Sequence, residues 1–133
     1  MKKNKITVKN FSQTTEHRPW GSFTILLDSK DCKVKKIVVK PGQRLSLQRH
    51  CHREELWQIV SGKGIMTLGC DVFSVTAGSV FVIEKQDIHR IENNGTKNLV
   101  FVEVQTGTYF GEDDIERLKD DYDRIAQNHK GGD

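Results

Sequence analysis

The chain has 133 residues, 29% charged and 35% hydrophobic, with a net charge of +3. That suits one domain with a real core, and the mild basic excess, without an aromatic-rich basic motif, argues against nucleic acid and suits a small anionic ligand. No apolar run nears the ~18 residues of a membrane span, and no apolar segment follows the basic opening MKKNK as a secretory signal would need. Three widely spaced cysteines, Cys32, Cys51 and Cys70, suggest no disulfide framework, so a cytoplasmic setting is expected.

Residues 1–17 read as a polar lead-in, and RPWG at 18–21 as punctuation around a buried-type Trp20. Short β-type runs follow: SFTILL (22–27), KVKKIVV (33–39), LWQIV (56–60), GIMTL (64–68), DVFSV (71–75), SVFVI (79–83) and NLVFVEVQ (98–105). KPGQ, SGKG, LGCD, TAGS and ENNGT supply the turns between them. Short strands at such spacing predict an all-β barrel or sandwich over 18–111. In the tail, Ile115, Leu118, Tyr122 and Ile125 recur at helical spacing behind Glu112, Asp113 and Asp114, which predicts an amphipathic helix within 112–128, docked on the barrel.

The densest chemistry lies in LSLQRHCHREELW, residues 45–57. Gly42, Gln48, His50, Glu55 and Gly62 follow the spacing of the first motif of the cupin family, with Gln in place of its first His. Gly78, His89 and Asn93 match the second motif, where Glu84 and Gln86 replace the usual Pro and Gly. Alternate strand residues share a face, so Gln48 and His50 can point together into a barrel. Glu55 can return from the next strand, and His89 arrives from a distant one. His52 is the competing donor, since Gln is a weak zinc ligand, but the Glu55 and Gly62 spacings fit only the register that uses Gln48. Two imidazoles, an amide and a carboxylate suit a borderline divalent ion with positions left open. Zinc heads the expectation, with Mn, Co, Fe and Ni as alternatives. His17 and His129 read as surface residues, and Trp20, Trp57 and Tyr109 as packing residues.

RPWGSF, PGQRLSLQRHCHREELWQIVSGKG, IHRIENNG and VEVQTGTYFGEDDIERLKDDYDR together resemble the cupin domain of type II mannose-6-phosphate isomerases from Arg18 to Arg124. Members usually carry His where Leu56 stands. The resemblance implies a jelly-roll (double-stranded β-helix) barrel, a bound divalent metal and interconversion of mannose 6-phosphate and fructose 6-phosphate through an enediolate. It suggests Gln48, His50, Glu55 and His89 as ligands. Arg53 is the candidate functional cation, against a surface ion pair with a nearby Glu, and Glu103 or a metal-bound hydroxide is the candidate base. Arg44 and Lys85 are candidates for the substrate phosphate, while Arg90 reads as structural. That domain often forms the C-terminal part of bifunctional guanylyltransferases, but this sequence has no glycine-rich phosphate loop for GTP, so guanylyl transfer is not expected of it. Two further readings stay open: an isomerase or epimerase of another phosphorylated or nucleotide-linked sugar, and a non-catalytic sugar- or metal-sensing module paired with a separate guanylyltransferase. A homodimer through edge strands, with 22–39 adding to a neighbour, is also expected.

Overall fold

The computed structural model describes residues 13–124. Eleven strands form two antiparallel sheets. The larger has the order β1-β2-β3-β10-β5-β8, from Thr14–Arg18 (β1), Gly21–Asp28 (β2), Cys32–Val39 (β3), Leu99–Gly107 (β10), Arg53–Ser61 (β5) and Val80–Ile83 (β8). The smaller has the order β11-β4-β9-β6-β7, from Glu116–Lys119 (β11), Leu47–Arg49 (β4), His89–Glu92 (β9), Lys63–Leu68 (β6) and Asp71–Thr76 (β7). The described part is all-β, two sheets closing face to face as in a jelly roll.

The three central strands of the larger sheet explain where a site can exist. Their burial alternates residue by residue, so one face of each is turned inward. At one end the inward residues are apolar: Ile37 and Val39 on β3, Ile59 on β5, Leu99 and Phe101 on β10. At the other end they are Lys33 and Lys35, Arg53 and Glu55, Glu103 and Gln105. The register lines them up, since Gln105 pairs with Glu55 and Lys33, and Glu103 with Trp57 and Lys35. The barrel thus has a dry end, completed by Met66, Val75 and Ile91, and a polar end where buried charges must satisfy one another.

The tail differs from expectation. Across the described part of 112–128 there is no helix: a turn leads to strand β11, which pairs with β4, and residues 125–128 lie outside the described range. The Asp114 carboxylate already accepts the N–H groups of Cys51 and His52, both at 3.0 Å, which commits this segment to a turn. The apolar spacing misled because β11 turns Arg117, not an apolar residue, toward a polar cavity, while Leu118 faces out. The lead-in expected over 1–17 also ends early, since Thr14–Arg18 is the edge strand β1; residues 1–12 lie outside the described range.

The two motif departures, Glu84 and Gln86, sit in the turn between β8 and β9. Gln86 adopts φ 70°, the left-handed region that favours glycine, and its N–H reaches the His50 carbonyl at 2.8 Å. The turn therefore keeps a glycine-type shape with a side chain in place. Asn93, the last residue of that motif, is fully buried and structural: its amide donates to the carbonyls of Val39 and Lys97, both at 2.8 Å. The left-handed strain at exposed Gln86 predicts that Gln86→Gly raises unfolding stability by about 0.5–1 kcal/mol, read as a higher urea midpoint. An unchanged or lower midpoint would show that the turn stores no such strain.

Candidate metal centre

Three strands, β4, β5 and β9, deliver the polar cluster. His50, Glu55 and His89 are all buried, and each offers a ligand atom within 4.8 Å of the others. His50 follows β4, Glu55 lies on β5 and His89 opens β9. Gln48, also buried, stands opposite His89 in the β4–β9 pairing, which puts their side chains on one face. His52 does not join them. Its side chain is 59% exposed, with Nδ1 3.1 Å from an Asp114 carboxylate oxygen. Cys51 is exposed as well.

The imidazoles are oriented from behind. His50 Nδ1 lies 2.6 Å from the Asp114 carbonyl, and His89 Nδ1 lies 2.8 Å from the Asp87 carbonyl. A carbonyl only accepts, so both Nδ1 atoms carry hydrogen and both Nε2 lone pairs face the cluster. Burial, then the Arg53 charge, lowers the His50 pKa to about 4; burial, then His50, lowers that of His89 to about 4. Both rings are neutral at pH 7, the state in which imidazole binds metal.

Two contacts make sense with a cation among these atoms. His89 Nε2 is buried without a hydrogen-bond partner. His50 Nε2 lies 3.3 Å from Glu55 Oε2, a lone pair facing a carboxylate. A donor set of two neutral imidazoles, a carboxylate and an amide fits a borderline divalent ion.

Glu55 is the most heavily supported donor. Arg53 Nε donates to its Oε2 at 2.7 Å and Trp57 Nε1 to its Oε1 at 2.9 Å. Trp57 is fixed in turn, stacked on Phe101 at 4.3 Å between centroids and edge-on to His89 at 5.7 Å. Arg53 also donates to the Gly111 carbonyl at 3.2 Å, and its Nη2 stands 3.5 Å from His50 Nε2. Its partner is thus a buried candidate ligand, not a surface Glu. Glu103 lies next to Glu55 and accepts from Gln105 Nε2 at 2.9 Å. Burial, then the Glu55 charge, raises its pKa to about 8, so it is mostly protonated at pH 7.

Beside the cluster opens a pocket of about 120 Å³. Gln48, His50, Arg53 and Glu103 line it, with Trp20 and Phe23 on its apolar side. Neither Arg44 nor Lys85 lines it. Arg44 is bound through two nitrogens to Asp121 at 2.7 and 2.8 Å and lines a separate depression; Lys85 is exposed in the β8–β9 turn. Arg90 ties strands together through the Leu45 and Lys119 carbonyls. Leu56 lies on the outer face of β5, 42% exposed, so its departure from the family pattern does not touch the pocket. Tyr109, expected to pack, is 46% exposed.

Sequence reading missed four cations that do line the pocket: Arg18, Lys35, Arg117 and Arg124. Period-2 alternation of KVKKIVV held a signal for Lys35, since it shares a face with Ile37 and Val39. The misassigned tail hid Arg117 and Arg124.

A family model described as mannose-6-phosphate isomerase C-terminal matches residues 4–120. The alginate biosynthesis protein AlgA of Pseudomonas aeruginosa is 45% identical over 120 residues, 87% of this chain and 25% of that protein. A mannose-1-phosphate guanylyltransferase of Salmonella muenchen is 39% identical over 102 residues, 77% of this chain and 22% of that protein. The chain thus spans about a quarter of the length of these relatives. Among solved structures, the capsular polysaccharide assembling protein CapF of Staphylococcus aureus superposes with a TM-score of 0.71 at 22% identity, over 83% of this chain and 35% of that one, a likeness of fold. With a family match over most of its length and relatives this similar, the chain belongs to the mannose-6-phosphate isomerase C-terminal family.

Proposed function

We propose that the chain is a metal-dependent isomerase that interconverts mannose 6-phosphate and fructose 6-phosphate. The observation that carries this reading is the buried His50–Glu55–His89 cluster, with its unpartnered His89 Nε2, at the wall of a cation-lined pocket in a chain of this family. Gln48, His50, Glu55 and His89 would hold one divalent ion, zinc first among the candidates. When bound, the ion supplies Lewis-acid stabilisation for negative charge on the sugar oxygens.

The chain's own residues supply the rest. An aldose–ketose exchange must move a weakly acidic C2 proton to C1 and carry the charge that builds up between the two. Glu103 is the proposed proton carrier, because a carboxyl with a pKa of about 8 is poised near neutral pH to take up a proton and return it. Arg53, fixed by Glu55 and the Gly111 carbonyl, presents a permanent positive charge to the same space and stabilises an enediolate. Trp20 and Phe23 exclude water from one side.

The direct test supplies the purified chain with mannose 6-phosphate and zinc, cobalt or manganese in turn, while fructose 6-phosphate is followed. Turnover lost to a chelator and restored by metal is the expected result; tight sugar binding without turnover would favour the sensing module. Gln48→Ala should weaken metal retention by about tenfold or more and His52→Ala by far less, measured by competition with a chromogenic chelator. The reverse order would move the ligand set to His52. For Glu103 the ionised form is the base, so kcat/KM should rise with pH along a limb near or below pH 8, lower where a bound dication favours the anion. Glu103→Gln should remove that limb and lower kcat by roughly 10²–10⁴-fold. A variant with wild-type kcat would discard Glu103 as proton carrier.

A further inference from the structure

Residues of two sheet edges, β1 of the larger sheet and β11 of the smaller, help line the pocket. Arg18 ends β1, Arg117 sits in the middle of β11 and Arg124 follows it, and all three line the cavity. Arg117 has a defined place relative to the candidate metal ligands. It stands opposite Gln48 in the β11–β4 pairing, and Gln48 stands opposite His89 in the β4–β9 pairing. His89, Gln48 and Arg117 therefore form one cross-strand row on the inner face, spanning about 10 Å over two strand spacings.

The three guanidiniums are close enough to feel one another. Burial, then Arg124, and further Arg18, pull the Arg117 pKa below its ordinary value. Asp120 holds Arg124 through two nitrogens, both at 2.8 Å, and Glu16 holds Arg18 at 2.6 Å, which fixes the outer two in place. Exposure falls inward, with the Arg18 side chain at 35%, Arg124 at 16% and His50 at 4%. Cations converge at the mouth, and the donor cluster and Glu103 lie at depth.

We propose that Arg18, Arg117 and Arg124 form the phosphate subsite of this pocket, so that a sugar phosphate enters with its carbonyl end inward and its phosphate at the mouth between β1 and β11. The inference rests on reading the pocket as a site for a sugar 6-phosphate and adds the residues that hold the phosphate and the direction in which the sugar enters. A phosphate at C6 lies at the far end of the sugar from the C1–C2 pair and can reach the three arginines while that pair sits at the donor cluster. A phosphate at C1 cannot, because it sits on the reacting end. Forked guanidiniums suit such an anion, and a cluster of three suits its double charge.

The test is calorimetric titration of the full chain. Zinc-loaded protein receives mannose 6-phosphate, mannose 1-phosphate or free mannose; chelated protein receives inorganic phosphate, which reads the cations alone. The 6-phosphate should bind more tightly than the 1-phosphate. Arg117→Gln and Arg124→Gln should each weaken the 6-phosphate and inorganic phosphate by about 10-fold or more, with free mannose and zinc affinity unchanged. Arg117→Lys should recover part of the loss, and Lys36→Gln, on the outer face of β3, should do nothing. Should Arg117→Gln fail to fold, Arg18→Gln at the more exposed mouth carries the same expectation. Equal affinity for the two regioisomers, or phosphate affinity untouched by the arginine variants, overturns the proposal. Absence of isomerisation, with phosphate binding still lost in these variants, removes the isomerase reading and leaves the subsite standing. Turnover with an unchanged KM in the variants does the reverse.

Discussion

The structure depends on seating one acidic side chain, Glu55, where only 2% of it is exposed. An unpaired charge so placed would cost several kcal/mol in lost hydration. Arg53 and Trp57 offset that cost with one hydrogen bond to each oxygen, and both come from the same strand at two-residue intervals. Since alternate residues of a strand share a face, the sequence R-x-E-x-W is by itself a ligand with its supports built in. The neighbouring Glu103, buried too, has its pKa pushed up to about 8 by burial and then by the Glu55 charge.

The segment after β10 completes the cluster. Its Gly111 carbonyl receives Arg53, its Asp114 carbonyl receives His50, and its Asp114 side chain receives the backbone of Cys51 and His52. Glu112 reaches inward to the buried ammonium groups of Lys33 and Lys35. One eight-residue stretch, 108–115, thus orients a donor ring, secures the arginine behind the carboxylate and neutralises two buried lysines. It does so from outside both sheets, which is why the donor geometry does not rest on strand pairing alone.

Much of this was legible in the residues. Seven of the strands are plain in the apolar runs, because a run facing the dry end of the barrel carries the ordinary period-2 signal. Gln48, His50, Glu55 and His89 were legible through motif spacing, and the fold does gather them at one place. The short strands β1, β4, β9 and β11 carried no clear run, since their inward residues include the polar Gln48, His89 and Arg117. The false helix has a related cause: Ile115, which lines the cavity, and Tyr122, which packs against the core, flank β11 rather than belong to one helical face, and within β11 Arg117 lines the cavity while Leu118 is exposed. Arg44 drew attention through its place near the motif, yet proximity in sequence put it on the outer side, paired with Asp121.

The pocket is lined by Arg18 at the end of the first described strand, by Arg117 of the last one and by Arg124, the last described residue. Thr14 stands only four residues, about 13 Å, from Arg18. A change in how β1 or the stretch after β11 is held therefore reaches the chamber through Arg18 and Arg124, without altering a single residue deep inside it.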